Sequence, residues 1–193
     1  MIKIYDDVLS KNEINHLETL FRSPLFPWFL SSGENNHSVE LINVQEDADI
    51  NSKESIILVH TFYIQEKKNS DNFAISDFIF NKFLSYTKIP FKKLLRSKAN
   101  FHPRSNITDP NLHTTPHVDY KHPHSVLIYY VTDSDGTTII FDRKLHQSKT
   151  EYNIIQEIEP KAGRFLLFDG EQYHAARHPI NSETRINVNF NFL

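Results

Sequence analysis

The sequence has no cysteine, which removes disulfides, thiolate zinc sites, iron–sulfur clusters and cysteine nucleophiles together and leaves the redox compartment open. Glycine is scarce too, with four in 193 residues, and neither GxGxxG nor a P-loop pattern occurs. A backbone cradle for nucleotide phosphates is therefore not expected. The GxSxG elbow of many hydrolases is also missing. No apolar run approaches the roughly 18 residues of a membrane span, and Met1 to Asp7 does not read as a signal peptide. The expectation is a soluble, cytoplasmic protein without a membrane partner. Neither charge sign dominates: 21 Lys and Arg against 24 Asp and Glu give a net charge of −3. That balance supplies no global attraction to nucleic acid. One local basic run, Lys88, Lys92, Lys93, Arg96, Lys98 and Arg104, contains no acid and reads as a solvated face.

The length suits a single domain over residues 1–193, with enough chain to bury a sizeable core. A short strand is expected around Ile2 to Tyr5. Ser10-Lys11-Asn12-Glu13 then fits a capping box, and Ile14, Leu17, Leu20 and Phe21 follow at helical spacing. Ser31 to Glu54 is polar and acidic, and reads as a long loop suited to a lid. Ser55 to Gln65 looks like a buried strand. Asp71 to Tyr86 reads as a second helix whose Phe73, Phe78, Phe80, Phe83 and Leu84 belong to the core.

After Pro90 the pattern changes to short β-type runs: Leu94–Phe101, Val126–Val131, Thr137–Phe141, Tyr152–Ile158, Arg164–Phe168, Tyr173–Arg177 and Arg185–Phe192. Turn signals such as Asp133-Ser134-Asp135-Gly136 separate them. Many short strands so punctuated predict a sandwich or jelly roll. The chain thus divides into helical support and lid over 1–90 and a β core over 91–193.

Within that core, His117-Val118-Asp119 is followed 55 residues after the aspartate by His174 and eleven residues later by Arg185. His117 and Asp119, two residues apart, project from one face if the segment is extended. Two imidazoles and a carboxylate can cap one triangular face of Fe(II) and leave the opposite face open. An HxD tripeptide alone also fits an ordinary turn hydrogen bond. Pro116, the strand after the motif, and the strand and tight turn before His174 strengthen the metal reading. In the last run Ile186, Val188 and Phe190 alternate with Arg185, Asn187 and Asn189, a pattern open to a solvated face or to the polar mouth of a barrel. The spacing back to His174 favours the mouth.

These residues resemble the iron(II)- and 2-oxoglutarate-dependent dioxygenases, in particular their prolyl-4-hydroxylase-like branch. The resemblance runs from about Leu94 to Phe192. Besides the HxD motif it rests on Ile128-Tyr129-Tyr130-Val131, Pro160-Lys161-Ala162-Gly163-Arg164-Phe165, Phe168-Asp169-Gly170-Glu171-Gln172-Tyr173-His174 and Arg185. It implies a mainly β fold with supporting N-terminal helices, built on a double-stranded β-helix (the cupin-like jelly roll). It implies Fe(II) held by His117, Asp119 and His174, with 2-oxoglutarate as co-substrate and O2 as oxidant. Arg185 would pair with the far carboxylate of 2-oxoglutarate, as a guanidinium fork suits. Tyr130 would reach the same carboxylate, and His102 stands where relatives often carry a pocket tyrosine.

The implied activity is hydroxylation of an unactivated C–H bond, with a proline-containing peptide or protein as substrate. His178 is a rival to His174, but its seven residues to Arg185 are short against that family's spacing. His113, His122 and His124 read as loop residues at the rim. Asn191 departs from the tryptophan some prolyl hydroxylases place there. It also departs from the second arginine of AlkB-type nucleic-acid demethylases, which Asn100-Phe101-His102 faintly echoes. The alternatives are that demethylase and a non-catalytic metal-binding jelly-roll module.

Overall fold

The computed structural model describes residues 1–31, 51–53, 55–104, 106–147 and 151–193. In chain order its elements are β1 (Lys3–Tyr5), α1 (Lys11–Arg22), β2 (Phe29–Leu30), β3 (Leu58–Ile64), β4 (Lys67–Lys68), α2 (Phe73–Thr87) and β5 (Leu94–Pro103). They continue with β6 (Ser125–Tyr130), β7 (Thr138–Lys144), β8 (Ile154–Ile158), β9 (Phe165–Asp169), β10 (Gln172–Ala176) and β11 (Thr184–Phe192). Most of the Ser31 to Glu54 loop expected from sequence lies outside the described residues. Among the described residues no helix is long and apolar enough to cross a membrane.

The fold is organised by a sheet buried on both sides. Its strands run in the order β1-β9-β6-β11-β5-β3-β2, with β4 paired to β3, and a second sheet runs β10-β7-β8. Every pairing within both sheets is antiparallel. Successive side chains of a strand point to opposite faces, and β6 shows the consequence. Its Leu127 and Tyr129 join the helix-side core, whereas Val126, Ile128 and Tyr130 join a second core with Ile140 of β7 and Ile158 of β8. The two sheets therefore enclose one apolar layer, and the helices cover the outer face of the larger sheet. This is the double-stranded β-helix, or jelly roll. The residues before Pro90 contribute more than helices, because β1 covers the free edge of β9 while β2 and β3 widen the sheet beyond β5.

Local chemistry accounts for both helices. In α1 the Ser10 hydroxyl accepts from the Glu13 amide at 3.4 Å, and the Ser10 amide donates to the Glu13 carboxylate at 2.8 Å. That reciprocal pair satisfies two end donors, and Leu17 and Phe21 then turn into the core. α2 stops at Lys88 in a left-handed conformation with φ 55. Its buried face lies on aromatic rings of the sheet: Phe80 stacks on Phe190 at 5.1 Å and Phe83 on Phe165 at 5.3 Å. Phe78 differs from the sequence expectation. It is 39% exposed, because it sits off the face that meets the sheet, with the Lys82 ammonium 5.4 Å from its ring.

The small sheet acquires a further rung from a segment without regular strand structure. His113 bridges to Arg177 and His117 to His174, both antiparallel. Between them the Thr114 amide donates to the Ala176 carbonyl at 2.8 Å. Residues 113–117 thus run alongside β10.

Phe83 is fully buried between α2 and the sheet. Phe83→Ala should lower the unfolding free energy by about 3–5 kcal/mol in denaturant titration. A loss below about 1 kcal/mol would show that the helices do not depend on this contact.

Candidate metal centre and its pocket

The bridge between residues 113–117 and β10 makes the site. His117 and His174 exchange two backbone hydrogen bonds, each 3.0 Å, which sets their rings side by side with centroids 4.5 Å apart. Asp119, two residues on from His117, brings its carboxylate to the same point. One ligand atom from each of His117, Asp119 and His174 lies within 4.8 Å of the other two.

The hydrogen bonds of each ring fix which nitrogen faces inward. His117 Nδ1–H donates to the Thr115 carbonyl at 2.9 Å, and His174 Nδ1–H donates to the Gln172 carbonyl at 3.2 Å. A carbonyl only accepts, so in the neutral form of each ring it is Nε2 that carries the lone pair. His174 Nε2 is buried and has no hydrogen-bond partner among the described residues. Burial first, then the neighbouring His117, pull the His174 pKa down to about 3, so the ring is neutral and its lone pair free at neutral pH. An orphaned, buried nitrogen beside a second imidazole and a carboxylate is what a divalent transition metal requires. The donor set fits Fe(II).

Asp119 is held on both oxygens. Arg96 donates to Oδ1 at 2.7 Å and Asn191 to Oδ2 at 2.8 Å, while Arg96 Nε also donates to the Asn191 amide oxygen at 3.0 Å. Burial alone would raise the Asp119 pKa. The Arg96 charge, the two histidines and the Asn191 bond outweigh it and hold the carboxyl well below its usual range.

The sequence reading missed both partners. Arg96 was assigned to a solvated basic run, yet it is buried, and Lys98 lines the cavity. The reason is strand alternation. Arg96, Lys98, Asn100 and His102 of β5 face the cavity, whereas Ala99 packs in the core beneath the helices. A run of charges at period 2 before the HxD segment was the available signal. Asn191 was noted only as a departure from relatives.

The cavity, about 280 Å³, extends from the triad to Arg185. Asn187 and Asn189 of β11 line it as well, so the polar face of the last strand is the mouth of the barrel and not a solvated surface. Arg185 is buried and braced: it donates to the Gly136 carbonyl at 2.8 Å, the Asn187 amide oxygen at 2.8 Å and the Thr138 hydroxyl at 2.9 Å. Gly136 is needed for this approach, since a Cβ there would lie 2.8 Å from the Arg177 carbonyl and 3.1 Å from Arg185 Cδ.

Tyr130 is fully buried and does not line the cavity. Its hydroxyl donates to Thr138 at 2.6 Å, with the Arg185 guanidinium 5.8 Å from its ring. It thereby steadies the arginine's surroundings. His102 does line the cavity, directly across the strand pair from Arg185, and its Nδ1 is buried without a hydrogen-bond partner among the described residues.

The other histidines separate cleanly. His178 is not part of the triad cluster, and its Nε2 hydrogen-bonds with the Lys53 carbonyl at 2.8 Å. His113 and His124 were expected at the rim but are buried. His113 belongs to the rung beside β10, and His124 packs over Gly170 in the turn after β9. His122 is exposed.

Three substitutions test this centre. His174→Ala should abolish Fe(II) binding in a metal titration, while His178→Ala should bind as the parent does; the reverse order would overturn the ligand assignment. Asn191→Ala leaves all three ligands in place but frees one carboxylate oxygen, and should weaken Fe(II) binding about 10–100-fold. Unchanged affinity would mean that Arg96 alone orients Asp119.

No family model matches the sequence, and no curated protein does. Solved structures do resemble it. An oxidoreductase of the 2OG-Fe(II) oxygenase family from Burkholderia pseudomallei superposes with a TM-score of 0.63 at 10% identity, covering 99% of this chain and 84% of that one. A prolyl hydroxylase from Trichoplax adhaerens, in complex with a hypoxia inducible factor oxygen degradation domain peptide fragment, gives 0.56 at 13% identity over 100% and 83%. The non-heme alpha ketoglutarate dependent carbocyclase SnoK from nogalamycin biosynthesis gives 0.59 at 13% over 99% and 78%. The chain has the fold of the 2OG-Fe(II) oxygenases.

Proposed function

We propose that this protein is an Fe(II)- and 2-oxoglutarate-dependent dioxygenase that hydroxylates an unactivated C–H bond. One observation carries the reading: two imidazoles and a carboxylate converge within 4.8 Å on a cavity whose other end holds a buried arginine. A purely structural metal would have no use for that cation at the far end.

In the overall reaction, substrate C–H, 2-oxoglutarate and O2 give C–OH, succinate and CO2. Fe(II) and 2-oxoglutarate, when bound, supply the activation of O2 that the protein's own side chains lack. The chain's residues bind, orient and exclude water. Three of Arg185's five N–H groups are committed to Gly136, Asn187 and Thr138, and the remaining donors suit a carboxylate. His102 Nδ1 offers a further polar contact beside it. Tyr130 acts through Thr138, giving the hydroxyl that Arg185 donates to a second partner. Ile128, Ile57 and Val59 line the same cavity and limit water around the reacting group. Asp119 fills the third ligand position with a side chain locked by Arg96 and Asn191.

The finer reading, hydroxylation of proline in a peptide or protein, draws on the sequence resemblance and on the likeness to the Trichoplax hydroxylase. The likeness to the carbocyclase, equal in identity, supports dependence on iron and 2-oxoglutarate but not hydroxylation of proline.

The test is formation of succinate from 2-oxoglutarate under Fe(II) and air; its absence with metal bound would leave a binding module. Arg185→Ala should raise the 2-oxoglutarate concentration for half-saturation about 10–100-fold, the worth of hydrogen bonds to a charged group. Its Fe(II) affinity should stay near the parent's. An equal loss of both would show that Arg185 only supports the fold.

A further inference from the structure

The cavity holds a cation that no acid among the described residues pairs with. Its polar wall is built from four rungs across β5 and β11: Arg96 opposite Asn191, Lys98 opposite Asn189, Asn100 opposite Asn187 and His102 opposite Arg185. The first rung is spent on Asp119. The last lies where Arg185 is braced on Gly136 and Thr138. Asn187 accepts from Arg185 and donates to the Asn189 amide oxygen, which leaves the Asn189 amide N–H groups to point elsewhere.

Lys98 remains. Its half-buried side chain makes no ion pair or hydrogen bond among the described residues. Asp119 is the one acid among the described residues lining the cavity, and both its oxygens are already taken. Burial, then the nearby Arg96 charge, draw the Lys98 pKa down to about 8. An ammonium partly stripped of water and paired with no carboxylate among the described residues is unfavourable, and an incoming anion would relieve it. Val59 of β3 and Ile57 just before it add the apolar complement, lining the cavity on the side of β5 away from β11.

We propose that Lys98, with the Asn189 amide beside it, binds a carboxylate of the substrate, so that the molecule hydroxylated is a small carboxylic acid with a short apolar body. The assignment rests on the dioxygenase reading above and narrows its substrate. The volume agrees: about 280 Å³ is small for a ligand pocket and must also take 2-oxoglutarate, which favours a small group inside it. A proline inside a peptide presents no carboxylate there. Two sources present one, a free amino acid and the C-terminal residue of a peptide.

The experiment is calorimetric titration of protein loaded with Fe(II) and 2-oxoglutarate and kept anaerobic, so that nothing turns over. The probes are paired acids and amides: L-proline and L-prolinamide, L-leucine and L-leucinamide, glycyl-L-proline and glycyl-L-prolinamide, glycyl-L-leucine and glycyl-L-leucinamide. In at least one pair the acid should bind about 10–100-fold more tightly than its amide, as expected for a charge-assisted hydrogen bond. The free and dipeptide acids tell the two sources apart.

Lys98→Met should bring that ratio close to one, and Lys98→Arg should keep most of it. Asn189→Ala, which removes no charge, should lower it in part and serves as the second variant should Lys98→Met fail to fold. Absence of acid preference in every pair, including absence of any binding, overturns the proposal. So does a Lys98→Met variant that keeps the ratio, or one that loses 2-oxoglutarate as Arg185→Ala does, because Lys98 would then serve the co-substrate. If 2-oxoglutarate does not bind the parent protein, the proposed function fails instead. The same probe pairs on protein without metal and co-substrate then decide whether the carboxylate subsite stands alone, by the same ratio.

Discussion

The site depends on two backbone hydrogen bonds between His117 and His174, each 3.0 Å. They join a segment that has left regular strand structure to a strand more than fifty residues further on. Without them the two imidazoles have no shared origin, and the Asp119 carboxylate, carried two residues beyond His117, has nothing to converge with. A backbone pair places side chains more rigidly than side-chain contacts can, because it fixes the Cα positions and the direction of each Cβ. The Nδ1 bonds to Thr115 and Gln172 then settle the remaining ring rotation.

Around that pair the large sheet divides its work by face. On one side Tyr129, Phe165, Val188 and Phe190 pack with the helices. On the other the same strands supply apolar packing near β6 and a polar ladder near β5 and β11. One alternation therefore yields both a dry core and a wet cavity. Arg96 shows the energetic logic. A buried guanidinium and a buried carboxylate are each unfavourable alone, and here each is the other's partner, with Asn191 closing the remaining positions.

Much of this was legible in the sequence because it follows local rules. The capping box at Ser10, the alternation in β11, the turn signals after Pro90 and the HxD segment with its distal histidine all leave period or spacing marks. What was not legible depends on which face of a strand turns inward. Arg96 and Lys98 sit in a stretch dense with lysine, and charge density alone reads as solvent. Their burial is set by β11 and β3 closing on either side of β5, a fact of tertiary pairing. His113 and His124 were misplaced for the same reason, since each is buried by a rung or turn formed with distant residues. Phe78 erred the other way: an aromatic on a helix was taken as core, although the helix's buried face was already filled by Ile79, Phe80 and Phe83.

The bracing of Arg185 sets up a contrast between the two ends of the cavity. A guanidinium frozen by a carbonyl, a hydroxyl and an amide has little rotamer freedom left to surrender when a ligand arrives, so that end meets its partner as a preformed mould. Lys98 hangs on a four-carbon tether with no such stays among the described residues, and its side chain is free to choose its conformation as something docks. Under the proposed function the pocket is stiff at its co-substrate end and pliant at its substrate end, a division of labour that would let such a chain change its substrate without rebuilding the rest of the site.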